Sequence, residues 1–283
     1  MIRKVFITAL LIASLVAVLI ALAWIYQERI AFQPPRGPWP DAPDGLRVDY
    51  DAEDGQHLFA YVIGNRSAPN GLVISFHGNA DLAVWQIEWA EELVRRTGVT
   101  VMLAEYRGYM GLSGRAGYSE SQMDAEAAYR FAVDTLRVSP GRIALFGHSM
   151  GSAIATELAA RHPPAALILQ SPFTSALDMG GRMTGYRVPK RLWRLISRLH
   201  YDTDALVARI YAPVSVAHGG EDRLIPPEMG ERIYARAMVK AEWLLLPRAA
   251  HNDLVVRGGE AYWSWLEKAL VPVTALSADR RNP

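Results

Sequence analysis

Six short apolar runs, each set close before a helical stretch or a polar loop, constrain this chain more than any other feature. They read GLVISFHG, VTVMLAEYRG, RIALFGHS, AALILQSP, APVSVAHGGED and AEWLLLP. Within them, Leu72-Val73-Ile74 and Ile143-Ala144-Leu145-Phe146 show no alternation of apolar and polar residues. A strand that is apolar on both faces needs cover on both, which a parallel sheet with helices on either side provides. Helical patterns at about 82–96, about 119–136 and from Met150 onward follow the first three runs, as crossovers between parallel strands require. The expectation is an open, doubly wound α/β fold with a mostly parallel sheet. Ahead of it, LRVDYDA and HLFAYVI flank EDGQ, which predicts an antiparallel hairpin turning at Asp54-Gly55. The domain so delimited covers residues 46–270, with residues 271–283 as a flexible, frayed tail.

The amino terminus has a different character. Arg3 and Lys4 precede residues 5–26, which carry no charge. About 20 apolar residues suffice for a helix to cross a bilayer, whereas a secretory h-region is usually about 7–15 long. Residues 1–28 therefore read as a transmembrane anchor, with Trp24 and Tyr26 at one interface. A cleaved signal peptide is the alternative, because Ala21-Leu22-Ala23 resembles a cleavage site. Either way the positive residues keep the terminus cytoplasmic and place the domain on the exported side. Residues 29–45 form a linker, whose stretch 33–45 holds five prolines and two glycines. That composition predicts a semi-rigid spacer holding the domain clear of the membrane.

Residues 173–210 interrupt the strand–helix rhythm. They are helical in pattern and too long for a crossover, which predicts a cap. Arg182, Arg187, Lys190, Arg191, Arg194 and Arg198 occur there with no acid between positions 179 and 201. Leu192, Leu195, Ile196 and Leu199 fall on one helical face and Arg191, Arg194 and Arg198 on another. This is either a solvated surface helix or one that leans on anionic headgroups.

Chemistry enters at Gly147-His148-Ser149-Met150-Gly151, directly after a buried strand and directly before a helix. A turn that sharp pushes the serine hydroxyl out, and it needs glycine two residues before and after because side chains there would strike the backbone. Gly111-Leu112-Ser113-Gly114 lacks this setting. The hydroxyl must lose a proton to attack an acyl carbon, and in such folds the acid and then the histidine follow along the chain. Asp222, with Glu221 beside it, follows the fifth parallel run, and His251 follows the sixth. The other histidines fit less well: His57, His162 and His200 lie in surface places, His77 and His218 at strand ends, and His148 would point away from the serine. The backbone N–H groups of Met150 and Asn79 are the candidate oxyanion donors.

Taken together, FHGNA at 76–80, EYRGYMGLSG at 105–114, GHSMG at 147–151, QSPFTS at 170–175, HGGEDRLIP at 218–226 and HND at 251–253 resemble the α/β-hydrolase superfamily. Within it they resemble the membrane-anchored branch related to depalmitoylating and lysophospholipid-cleaving serine hydrolases. The resemblance implies a catalytic Ser149, His251 and Asp222, and an acyl ester or thioester substrate of small-molecule or lipid-like type. Glu105 stands where that branch usually has aspartate, Met110 where glycine is common, and Ala249-Ala250 where glycines are often seen.

Composition narrows the classes. The chain has no cysteine, which excludes disulfides, thiolate metal sites and cysteine nucleophiles. Its net charge of +1 gives no reason to expect nucleic acid as a partner. Nothing implies a metal or an organic cofactor. A peptidase or amidase on the same fold and a catalytically silent membrane-anchored binding protein are the rival readings.

Overall fold

A computed structural model of the protein describes residues 2–67, 69–186 and 188–278. Eight strands make one sheet: β1 (Arg47–Asp51), β2 (His57–Ile63), β3 (Leu72–Phe76), β4 (Thr100–Ala104), β5 (Ile143–His148), β6 (Ala166–Gln170), β7 (Pro213–Gly219) and β8 (Val239–Leu246). Their spatial order is β1-β2-β4-β3-β5-β6-β7-β8. The opening hairpin and the β2–β4 pair are antiparallel, and every later pairing is parallel. Each of the six apolar runs is a parallel strand. β3, β4 and β6 are buried at every position, which explains why they show no period of two.

Helix α1 (Ile2–Ala31) precedes the sheet, and α2 (Ile87–Thr97), α3 (Tyr118–Arg130) and α4 (Met150–Arg161) cover it as crossovers. The cap contributes three short helices, α5 (Ala176–Thr184), α6 (Lys190–Ile196) and α7 (Thr203–Val207). Beyond it come α8 (Pro227–Arg236), α9 (Leu254–Gly258), α10 (Glu260–Ala269) and α11 (Val271–Ala278). The cap arginine at 187 lies outside the described residues.

Two expectations need correction. Residues 271–278 are helical rather than frayed, because Val273 is buried against Gly71, where a side chain would collide with it; residues 279–283 lie outside the described residues. The proline-rich segment is no free spacer either. Phe32 is buried, Trp39 packs against Gly111, and the Gln33 N–H donates to Asn79. Two large aromatic rings gain more by covering apolar surface than an extended strap would gain by staying solvated.

The loop between β4 and α3 is fixed by charge. Arg107 is buried and bonds Asp124 (2.7 Å) from its guanidinium, while its own N–H donates to the same carboxylate at 2.9 Å. Its Nη1 and Nη2 reach the Asp54 carboxylate at the hairpin turn, at 2.6 and 3.2 Å. Burial pushes the Asp124 carboxyl up to about 6, against the pull of Arg107. Arg107→Met would leave that carboxylate buried and unpaired, so urea unfolding at neutral pH should show a loss of about 3–5 kcal/mol. A loss under 1 kcal/mol would mean that the pair does not hold this loop.

Candidate active site

The sharp turn after β5 is built as the glycine spacing requires. Ser149 sits at φ 53° and ψ −117°, a region that costs a non-glycine residue about 1–3 kcal/mol. Two close approaches impose it. A methyl group on Gly147 would run into the backbone of Gly151 and Ser152, and one on Gly151 into the carbonyl of Phe76 at the end of β3. The helix therefore starts hard against its neighbouring strand, and the chain can reach it only through a strained serine.

The sheet order decides what surrounds that serine. β3 lies beside β5 in register, Phe76 opposite Gly147, so the loop after β3 runs alongside the turn. Gly78 comes so near that an added Cβ would be 3.2 Å from His148 Nδ1 and 3.3 Å from Ser149 Cβ. On the other side, β7 and β8 are paired, which puts their following loops together. Those loops deliver Asp222 and His251. Ser149 Oγ lies 2.9 Å from His251 Nε2, and His251 Nδ1 lies 2.7 Å from Asp222 Oδ2. Three side chains separated by more than 70 residues from the first to the next thus form one hydrogen-bonded line. Glu221 is exposed, and it is Asp222 that meets the imidazole.

Burial disfavours the charged form of Asp222, but donors around it outweigh that penalty. His218 lies 3.3 Å from Oδ2 alongside His251, and the N–H groups of Leu224 and Ile225 donate to Oδ1 at 2.9 and 2.8 Å. The carboxyl is held well below the usual range and stays ionised. An ionised acceptor at Nδ1 fixes that nitrogen as the protonated one, which leaves Nε2 as the acceptor facing the serine hydroxyl.

His148, expected to point away from the serine, is engaged with the other histidine of the site. Its ring lies against that of His251, with centroids 5.2 Å apart, and its Nε2 is 3.3 Å from the His251 carbonyl. The Ser171 hydroxyl approaches that same carbonyl at 3.5 Å. Position in the turn carries no hint of this contact, which arises because the loop after β8 folds back over the ends of β5 and β6. His77 pairs with Glu105 at 2.7 Å, both buried, and the second Glu105 oxygen accepts the Ala83 N–H. Glutamate in place of aspartate thus spans from the end of β4 to the loop after β3. Met110 has φ 46°, the left-handed region, which is why glycine suits that position.

The candidate oxyanion donors are the N–H of Met150, at the first position of α4 where no intrahelical acceptor exists, and the N–H of Asn79 in the loop after β3. The Asn79 side chain is held at both ends of its amide. Its Oδ1 accepts from the Gln33 N–H (2.8 Å) and the Tyr109 hydroxyl (2.9 Å), and its Nδ2 donates to the Ala31 carbonyl (2.6 Å). Among the described residues no group of acidic, histidine or cysteine side chains forms a metal-binding cluster.

A family model described as serine aminopeptidase, S33, matches residues 67–205. An uncharacterized protein of Mycobacterium tuberculosis is 33% identical over 94% of this chain and 95% of its own length. Alpha/beta hydrolase domain-containing protein 17B of Homo sapiens is 28% identical over 72% of this chain and 67% of its own. The chain belongs to the α/β-hydrolase family. Solved structures share the fold of this α/β-hydrolase. A Pyrococcus furiosus esterase superposes with a TM-score of 0.68 at 21% identity, covering 85% of this chain and 97% of its own. A Paleococcus ferrophilus monoacylglycerol lipase does so at 0.58 and 19%, covering 76% and 98%.

Within this hydrolase, burial first and then the neighbouring His251 push the His148 imidazole down to about 4, so it is neutral at neutral pH. A histidine lowered on folding stabilises the fold above its unfolded value of about 6.5 and loses that contribution as pH falls toward about 4. Thermal unfolding between pH 7 and pH 4 should therefore fall more steeply in the wild type than in His148→Asn. Parallel curves would show that His148 is not buried in its neutral form.

Proposed function

We propose that this protein is a membrane-anchored serine hydrolase that cleaves carboxylic esters or thioesters through an acyl-enzyme. One observation carries the reading: the unbroken line from Ser149 Oγ through both nitrogens of His251 to Asp222, at 2.9 and 2.7 Å. In the first half-reaction His251 Nε2 takes the serine proton as Oγ bonds to the substrate carbonyl carbon. The carbonyl oxygen becomes an oxyanion between the N–H groups of Met150 and Asn79. Collapse breaks the bond to the alkoxide or thiolate, which leaves with the proton from Nε2. Water then repeats the sequence, giving its proton to Nε2 and its oxygen to the acyl carbon, and Ser149 is regenerated. Asp222 remains a carboxylate throughout and stabilises the transient imidazolium.

The anchor reading rests on α1. Among the described residues it is the one helix long and apolar enough to cross a membrane, with mean hydropathy 3.0 over a window that no part of the domain buries. Residues 5–26 would span about 33 Å at 1.5 Å per residue, close to the hydrocarbon thickness of a bilayer. With Arg3 and Lys4 in the cytoplasm, the catalytic domain stands on the exported side. Helix α6 of the cap exposes Leu192, Leu195, Arg191 and Arg194 together, a mixture suited to an interface of acyl chains and anionic headgroups.

Peptide or amide cleavage is the second reading, favoured by the family model's description as a serine aminopeptidase. The two separate on substrates. The wild type should react with a fluorophosphonate probe and hydrolyse p-nitrophenyl esters, with aminoacyl p-nitroanilides turned over far more slowly. Ser149→Ala should abolish labelling, and Asp222→Asn should lower kcat by a factor on the order of 10⁴ by allowing the wrong tautomer. Folded wild-type protein that ignores the probe would favour a silent binding protein. Faster anilide than ester turnover would favour the peptidase.

A further inference from the structure

The end of α1 does more than tether. Residues 27–33 grip three separate loops around the site. Gln27 Oε1 accepts from the Arg198 N–H at 2.7 Å and from the Ser197 hydroxyl at 3.2 Å, both just past cap helix α6. Glu28 is buried, its carboxylate pairing with Arg198 at 2.9 Å and accepting the Tyr118 N–H at 3.2 Å at the head of α3. Ala31 and Gln33 hold the two ends of the Asn79 amide, as described above, and Phe32 between them is buried.

A plain tether has no physical reason to look like this. Burying a carboxylate is costly unless charge and donors meet it, and the partners here come from the cap and from the loop before α3. Orienting a side-chain amide from both ends requires two groups at fixed separation, which the last turn of a helix and its first extended residue supply. The Asn79 amide belongs to the residue whose backbone N–H is the proposed oxyanion donor. A donor displaced by a fraction of an ångström from that position loses much of its worth.

We infer that residues Gln27–Gln33, the membrane-proximal end of α1, are a positioning element of the active site that sets the Asn79 loop for oxyanion binding and pins the cap beside it. This rests on the serine hydrolase reading above. The anchor and the site are then mechanically one unit: a change in how α1 leaves the bilayer moves Asn79, and the cap with it. Gln33 acts through its backbone N–H and Glu28 through its charge, so neither is itself a catalytic residue.

A double-mutant cycle tests this on the full-length chain in detergent micelles, with p-nitrophenyl butyrate as substrate. Gln33→Pro removes the N–H that holds Asn79 Oδ1, and Asn79→Ala removes the side chain it holds. Each should lower kcat about tenfold or more with KM little changed. The pair together should cost no more than Asn79→Ala alone, because both act through one contact. Glu28→Gln, which keeps the side-chain shape and loses the charge, is the milder second probe should the proline variant fail to fold; acting through Arg198 and Tyr118 rather than through Asn79, it should by itself lower kcat with KM little changed. Near-UV circular dichroism and thermal midpoints monitor the fold. Unchanged kcat in the folded variants, or losses that multiply in the double variant, would overturn the inference while leaving Ser149 in place. A wild type that neither hydrolyses the ester nor accepts the fluorophosphonate would instead remove the hydrolase reading, and this one with it.

Discussion

The active-site region depends on a steric constraint before it depends on any attraction. Helix α4 starts so close to β3 that Gly151 touches the Phe76 carbonyl, and Gly147 leaves room for nothing beyond its own hydrogen. With both ends of a five-residue turn fixed in this way, the middle residue has one conformation open to it, at positive φ. Contacts made elsewhere in the parallel sheet, where every residue of β3 and β6 is buried, offset the strain at this single position. A hydroxyl held by backbone geometry does not have to be ordered when substrate arrives. Its position is settled at folding, and that saving in entropy is what makes a rigid elbow useful to catalysis.

Around this fixed point, two neighbouring groups are held in set charge states. Asp222 is surrounded by donors and stays ionised, while His148 is buried beside a second imidazole and stays neutral. The two effects cooperate. In the proposed mechanism a charged His148 would repel the imidazolium formed at His251, and a protonated Asp222 could not stabilise it. His77 and Glu105 form a second buried pair, which ties the end of β4 to the loop that carries Asn79. Of four imidazoles gathered near the carboxyl ends of the strands, geometry leaves His251 alone beside the serine oxygen.

Much of this was legible in the residues themselves because the signals are local. Unbroken apolar runs mark two-sided burial, and the glycine pair around Ser149 marks a close approach of backbone. The positions of Asp222 and His251 after the last two runs place them at one sheet edge. What escaped reading depends on contacts between segments far apart along the chain. The carboxylate of Glu28 sits at the end of an apolar helix, where composition suggests mere interfacial polarity, yet its partners are Arg115, Tyr118 and Arg198, far along the chain. Trp39 lies amid five prolines that favour an extended strap, and the gain from covering Gly111 overrides that preference. Val273 likewise turns an unremarkable terminus into a packed helix. Local propensity describes a segment in water, and each of these segments is placed instead by the surface it meets.

If α1 anchors the chain as proposed, its last turn is unlike a simple tether. Were the membrane helix only a leash, its last turn would be free to sample orientations, and selection would favour polar, flexible residues there. Instead Gln27, Glu28, Ala31, Phe32 and Gln33 each meet the domain through a buried or hydrogen-bonded contact. Ordering that segment costs backbone entropy of about 1–2 kcal/mol for each residue, and nothing in anchoring alone offsets it. The burial of Phe32 and the pairing of Glu28 with Arg198 supply the offset, and they do so next to the loop that bears Asn79 and the cap that bears Arg198. A leash could be replaced by any apolar helix of equal length; a brace cannot, because its contacts are specific to residues 27–33. The end of α1 and the domain therefore pack as one unit, and on the anchor reading proposed above the helix would leave a bilayer already in contact with the Asn79 loop and the cap.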